Sequence, residues 1–374
     1  MLNHARKLTG LHWPLLVLAL LLGAFGIFAI YSATWMREQD FWSRQLIWLS
    51  AGLVLCLAVS LADYRWVRAG ALPLYLAGLA GLVIVHFFGQ TVFGARSWLS
   101  FGFVNFQPSQ LSILAAIMLM AMLLSEYDSM PALLRIASCG AIAAVPLVLI
   151  LVQPDLGSAI VWLPVILAML YAARIPARYL ISMLLLALAV IPLMVNFGLR
   201  PYQRQRIVTF LDPDLDPRGA GWTVNQSLTA IGSGGWDGKG FKAPNTLNEL
   251  GFLPSTIVHN DFIFSVIGEQ HGFVGGVILL AAFLLLIGFG LFVALRAGDE
   301  LGRLLAVGLT ALFFTHTFMN IGMTIGVTPI TGLPLPFVSY GGSFLMVVLF
   351  SIGLLQSIWV HRGGAGAARG AWKT

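Results

Sequence analysis

Two carboxylates stand eight residues apart in VHNDFIFSVIGEQHG (258–272): Asp261, where a polar stretch turns into an apolar run, and Glu269, two helical turns further in. A carboxylate at such a boundary can serve as a general base, taking the proton of a hydroxyl that is otherwise a poor nucleophile. It can equally be an interfacial acid that satisfies the positive end of a helix. On these residues alone both readings of Asp261 stand. A helix beginning near Asn260 as N-cap would put Asp261, Ser265, Gly268 and Glu269 on one face. Glu269 would lie about 12 Å deeper at 1.5 Å per residue. It reads as a buried hydrogen-bonding group, because an ionisable side chain at membrane depth needs a cavity or a polar partner.

Cations that could meet an anion gather in one segment: Arg200, Arg204, Arg206, Arg218, Lys239 and Lys242 all fall within 198–260. Guanidinium and ammonium groups of this kind pair with phosphate. GSGGWDGKG (232–240) either presents backbone N–H groups and Lys239 to a phosphate or simply turns the chain. Asp212, Asp214 and Asp216 alternate as in a calcium loop, but prolines follow two of them and no distal glutamate completes the set, so they read as turn formers. GARSWLSFGFVNFQPSQ (94–110) is short and amphipathic, with Trp98 as an interfacial anchor and Arg96 able to reach a head group. LVQPDLGSAIV (151–161) sets Pro154 and Gly157 around Asp155, and TPITGLPLPFVSYGGSF (328–344) sets Ser339, Tyr340 and Ser343 around a Gly-Gly pair. Broken backbone at membrane depth is tolerated where it is buried or lines a cavity. Together these stretches predict one cleft.

The elements that must position them follow from composition. Of 374 residues, 59% are hydrophobic and 10% charged, with mean hydropathy +0.89, far from a soluble domain. The chain reads as an all-α polytopic membrane protein, one domain over 1–374. Ten apolar runs of membrane-crossing length lie near 13–31, 46–62, 71–88, 108–125, 133–152, 158–173, 179–197, 262–295, 301–325 and 337–360. The segment 198–260, between the seventh and eighth runs, is too long for a plain connection and reads as a partly helical outer cap. With both termini cytoplasmic, twelve basic residues from Arg6 to Lys373 fall inside, against Arg37, Arg44 and Arg96 in the short outer loops. The net charge of +6 then reflects topology and anionic lipid rather than nucleic acid. Cys56 and Cys139 fall within spans as small hydrophobes.

QPDLGSA, YQRQRIVTFLDPDLDPRGAGW, NQSLTAIGSGG, DFIFSVIGEQHGFVG and TGLPLPFVSYGGS occur in this order, and with them the chain resembles the SEDS family (shape, elongation, division and sporulation), nearest its rod-shape-determining branch. The resemblance covers nearly the whole chain. It implies a peptidoglycan glycosyltransferase of the bacterial inner membrane that polymerises lipid II on the outer face during cell elongation. It also implies a class B penicillin-binding protein as transpeptidase partner, alongside other elongation-complex membrane proteins and the nascent glycan strand. The aspartate opening DFIF, the family's catalytic residue, falls on Asp261. The substrate-contacting set expected from the motifs is Arg204, Arg206, Arg96, Lys239, Gln226, Asp155, Glu269, Ser339 and Tyr340. A divalent cation, Mg or Mn, could assist at the pyrophosphate, though no ligand cluster in the sequence requires one. The chain departs from the family where Gln110 and Ile113 replace a common Glu and Lys, and where LPSTIVHND replaces a shorter LPEQHTD-like approach. A lipid-linked precursor flippase and a non-catalytic scaffold are the other readings. No pair of repeats of the kind alternating access uses is evident.

Overall fold

The computed structural model describes residues 9–36, 40–92, 95–102, 104–199, 201–212, 215–216 and 219–364. Arg6, Lys373, Arg37, Arg200, Asp214 and Arg218 lie outside the described residues.

Apolar segments in lipid must satisfy their backbone groups internally, and here they do so as helices. These are α1 (Trp13–Thr34), α2 (Phe41–Leu61), α3 (Val67–Phe88), α4 (Pro108–Glu126), α5 (Ala132–Val152), the short α6 (Leu156–Ile160), α7 (Trp162–Ala172) and α8 (Ala177–Leu193). After them come α9 (Pro201–Leu211), α10 (Ala220–Ser233), α11 (Ile263–Leu295), α12 (Glu300–Thr324) and α13 (Gly342–His361). Among the described residues, eight helices are long and apolar enough to cross a membrane, and the shorter apolar helices Leu156–Ala172 and Ala177–Val190 complete the ten runs read from the sequence. The chain is a mostly helical, multi-pass membrane protein. Segment 198–260 holds α9, α10 and a series of turns. Cys56 and Cys139 are buried free thiols.

Burial sorts the helices into layers. The apolar windows of α4, α12 and α13 are each 78% buried, whereas those of α2, α3, α5 and α11 are 28–33% buried, so the first three form the centre and the others turn leucine, valine and phenylalanine outward. Small residues let the layers close, as in other membrane bundles. A Cβ at Gly353 of α13 would stand 2.8 Å from the Cys56 carbonyl oxygen of α2.

One strand feature was not read from the sequence. β1 (Gln90–Val92), β2 (Ala95–Phe101) and β3 (Val104–Phe106) form an antiparallel sheet in that order, pairing Gln90 with Trp98 and Leu99 with Phe106. Its period of two is visible in retrospect: Ser97 and Leu99 are buried while Arg96 and Ser100 are exposed.

The departing pair at 110 and 113 lies in the central layer. Gln110 and Ile113 are each 1% exposed, and both polar atoms of the Gln110 amide lack a partner among the described residues. Gln110→Glu alone should therefore lower the thermal midpoint and folded yield, because a buried carboxylate without a cation is strongly destabilising. The double variant Gln110→Glu/Ile113→Lys should be milder. Identical melting of single and double variants would show that water reaches the position.

Candidate active site

Asp261 is not in the first turn of its helix. Residues 254–262 fold as successive turns, with Asn260 N bonded to Ile257 O (3.1 Å) and Asp261 N to the same oxygen (2.8 Å). α11 begins at Ile263, and Phe262 rather than Asn260 is its N-cap residue. Asn260 does not cap: it lies within the turns before the helix, and the carbonyl that an N-cap offers to the first intrahelical bond is taken by the Ser339 hydroxyl. Asp261 thus makes no capping bond. Its half-buried carboxylate has no hydrogen bond among the described residues and faces a cavity of about 320 Å³.

Several broken segments converge on that cavity. Asp155 caps α6, accepting from Ser158 N (3.0 Å), Ser158 Oγ (2.7 Å) and Gln107 Nε2 (3.2 Å). A Cβ at Gly157 would stand 2.3 Å from Thr331 O, so glycine there lets the Asp155 turn close onto the 331–342 segment. Gly332 has φ +71°, and a Cβ on it would stand 3.4 Å from Asp261 Oδ2. Both glycines line the wall, as do Thr331, Tyr340, Gly341 and Gly342. From α9, Arg206 reaches the wall and donates to Ile330 O (3.4 Å). β2 contributes Ser97 and Trp98, and α2 contributes Arg44 and Trp48.

The charges act on each other. Burial pushes the Asp261 carboxyl up to about 6, the Arg206 guanidinium opposes that rise, and the negative charge of Asp155 adds to it. A carboxylate so shifted is closer to the pH at which it would work as a base.

Trp48 also lines a second cavity of about 620 Å³ whose walls are almost wholly apolar, among them Leu55, Trp66, Leu74, Phe106, Leu114, Met346 and Phe350. A polar chamber and an apolar groove therefore meet at one tryptophan.

The expected residues divide accordingly. Asp261, Asp155, Arg206 and Tyr340 come together around the cavity, and the others do not line it. Arg204 is exposed on α9 and Gln226 half-buried on α10. Arg96 is exposed and donates to His86 O (3.2 Å). Ser339 is buried, its hydroxyl donating to Asn260 O and accepting from Leu335 N (2.8 Å). Lys239 is paired with Glu269 at 2.7 Å. In the glycine run, Lys239 N and Gly240 N are already taken, donating to Glu269 O and Gln270 O, both at 2.9 Å. These carbonyls are available because α11 bends at Gly272 (φ 62°, ψ −162°). Across the bend, Phe273 N and Val274 N are satisfied by Gly235 O and Trp236 O.

Arg44, Trp48 and Gln107 are wall residues that the sequence did not point to as a site. The one signal for Arg44 was its place among only three basic residues of the short outer loops. A divalent cation at this wall would find two carboxylates, Asp155 and Asp261, and would have to draw its remaining oxygens from phosphate or water. Among the described residues no three His, Cys, Asp or Glu side chains gather as metal ligands.

The model of the FtsW, RodA and SpoVE family, described as cell cycle proteins, matches residues 12–363. The chain belongs to the FtsW/RodA/SpoVE family. It is 38% identical over 348 residues to the peptidoglycan glycosyltransferase MrdB of Escherichia coli K12, covering 93% of this chain and 92% of that protein. It is 33% identical over 429 residues to the peptidoglycan glycosyltransferase RodA of Treponema pallidum, covering 94% and 98%. A solved chain from work on structural coordination of polymerization and crosslinking by a peptidoglycan synthase complex superposes with a TM-score of 0.81 at 31% identity, covering 94% of this chain and 98% of that one. In this FtsW/RodA/SpoVE protein, the motifs around Asp155, Asp261 and Tyr340, far apart in sequence, border a single cavity.

Proposed function

We propose that this chain is a peptidoglycan glycosyltransferase that polymerises lipid II into glycan strands, with Asp261 as general base. The observation that carries the assignment is a half-buried carboxylate, unpartnered among the described residues and shifted upward, in a polar cavity that meets an apolar groove at Trp48. A lipid-linked sugar has the matching form: an apolar tail, a pyrophosphate at the junction and a polar saccharide beyond it.

In the reaction, Asp261 takes the proton of the acceptor 4-hydroxyl as that oxygen attacks C1 of the donor sugar. The C1–oxygen bond to the lipid pyrophosphate breaks, and the electron pair leaves with the pyrophosphate. Direct displacement inverts the anomeric centre from α to β. Arg206 and Arg44, both on the wall, offset charge on the leaving group. Similarity to RodA and MrdB proteins supports a role in elongation and rod-shape maintenance. The excess of basic residues in alternate loops supports an orientation in the bacterial inner membrane with the site outward and both termini cytoplasmic. Likeness to a chain of a polymerising and crosslinking complex supports a class B penicillin-binding protein as partner.

The test is glycan chain formation from lipid II by the purified protein with its transpeptidase partner, a product that neither a flippase nor a scaffold makes. Because the base must be ionised, kcat/KM should fall about tenfold per pH unit below an acidic limb near 6, the value to which burial raises Asp261. A limb left near 4, the ordinary aspartate range, would show the working carboxylate to be open to water.

A further inference from the structure

Three successive peptide carbonyls at the proposed base are each taken by a donor from elsewhere in the bundle. His259 O accepts from Tyr340 N (2.9 Å), Asn260 O from the Ser339 hydroxyl, and Asp261 O from Asn320 Nδ2 (3.1 Å). Asn320 lies fully buried on α12, and the same amide nitrogen also donates to Leu333 O (2.8 Å). Behind Ser339 stands a further support: the buried Gln45 of α2 donates to Ser339 O (3.2 Å) and accepts from Gly341 N (3.3 Å). Segments 259–261 and 331–341 are thus tied together and held to α12 and α2 by side chains that do not line the cavity.

The Asp261 carboxylate has no hydrogen bond of its own among the described residues, so its direction is set by the peptide planes on either side of its Cα. Those planes end in the carbonyls of Asn260 and Asp261. We infer that Asn320 and Ser339 are positioning residues that aim Asp261 into the cavity without touching the substrate. The inference rests on the reading of Asp261 as base. Its size follows from the sensitivity of proton transfer to geometry, where a displacement of about 1 Å costs on the order of 100-fold. Buried side chain to backbone bonds of this kind hold a reacting group on rigid elements.

The experiment compares Asn320→Ala, Ser339→Ala and Ser339→Thr with the parent and with Asp261→Asn, as purified full-length protein with lipid II. Asn320→Ala and Ser339→Ala should lower kcat by roughly 10- to 100-fold with KM within about twofold, the signature of an interaction used in the transition state. Their acidic limb should move below about 6, because a loosened carboxylate turns toward water. Ser339→Thr keeps the hydroxyl and should recover most of kcat. A parental kcat in both Ala variants, or a loss confined to KM with the limb unmoved, would overturn the inference. So would failure of both Ser339 variants to yield folded protein, which would mark the contact as purely structural. Near-parental polymerisation by Asp261→Asn would instead overturn the reading of the base, which separates the two failures.

Discussion

Asp261→Asn should lose at least 100-fold, and up to about 10⁴-fold, of lipid II polymerisation while remaining folded, the range expected of a lost general base. The amide keeps the size of the carboxylate and removes its basicity. Stability should not fall with it. Burial holds the native Asp261 at about 6, above the ordinary aspartate value of 3.8, so the folded state favours the protonated form. As pH rises from about 4 to 6 the native state binds more protons than the unfolded chain, and stability declines across that window. At neutral pH the ionised group costs at most about 3 kcal/mol at about 1.4 kcal/mol per pKa unit. Asp261→Asn removes that cost, so its thermal midpoint at pH 7 should equal or exceed the parent's, with the gap closing below pH 4. A folded Asp261→Asn protein that polymerises near the parental rate would refute the catalytic assignment.

Lys239→Met should have the opposite profile, a loss of about 3–5 kcal/mol of stability, the range for stripping the partner from a buried charge. Glu269 is 0% exposed; its Oε1 accepts from Lys239 Nζ at 2.7 Å, from Leu247 N at 2.7 Å and, more weakly, from Ser233 Oγ at 3.4 Å, while Oε2 has no partner among the described residues. With methionine at 239, the carboxylate would keep the Leu247 amide but no cation. The same pair sits beside the bend of α11, where the 234–240 segment satisfies the backbone that Gly272 releases, so its loss should also loosen that segment. Lys239→Met/Glu269→Leu should recover much of the thermal midpoint, because an apolar pair of similar volume replaces a buried ion pair at little cost. Glu269→Gln should likewise lose more in melting temperature than in kcat. Equal midpoints for parent and Lys239→Met, measured in the same detergent, would show Glu269 to be hydrated and the burial argument wrong.

These two carboxylates mark what the sequence by itself determined. Apolar run length is a local property set by the thickness of the hydrocarbon, so the spans from Trp13 to His361 were legible without coordinates. A helix of 33 residues exceeds that thickness and must tilt, protrude or bend, but that it bends, and at Gly272, was decided only by the tertiary structure. Ordered motifs carried the family, and with it Asp261. Which cation meets which anion was decided only by the tertiary structure. Lys239 reads as a phosphate ligand until α11 places Glu269 against it, and Ser339 reads as a cavity hydroxyl until the 331–341 segment turns it onto Asn260 O. Arg44 and Trp48 reach the wall shared with Asp261 across more than 200 residues of chain. The reason is physical: periodicity and length act between neighbours along the chain, whereas an ion pair or a buried hydrogen bond depends on which helices pack together.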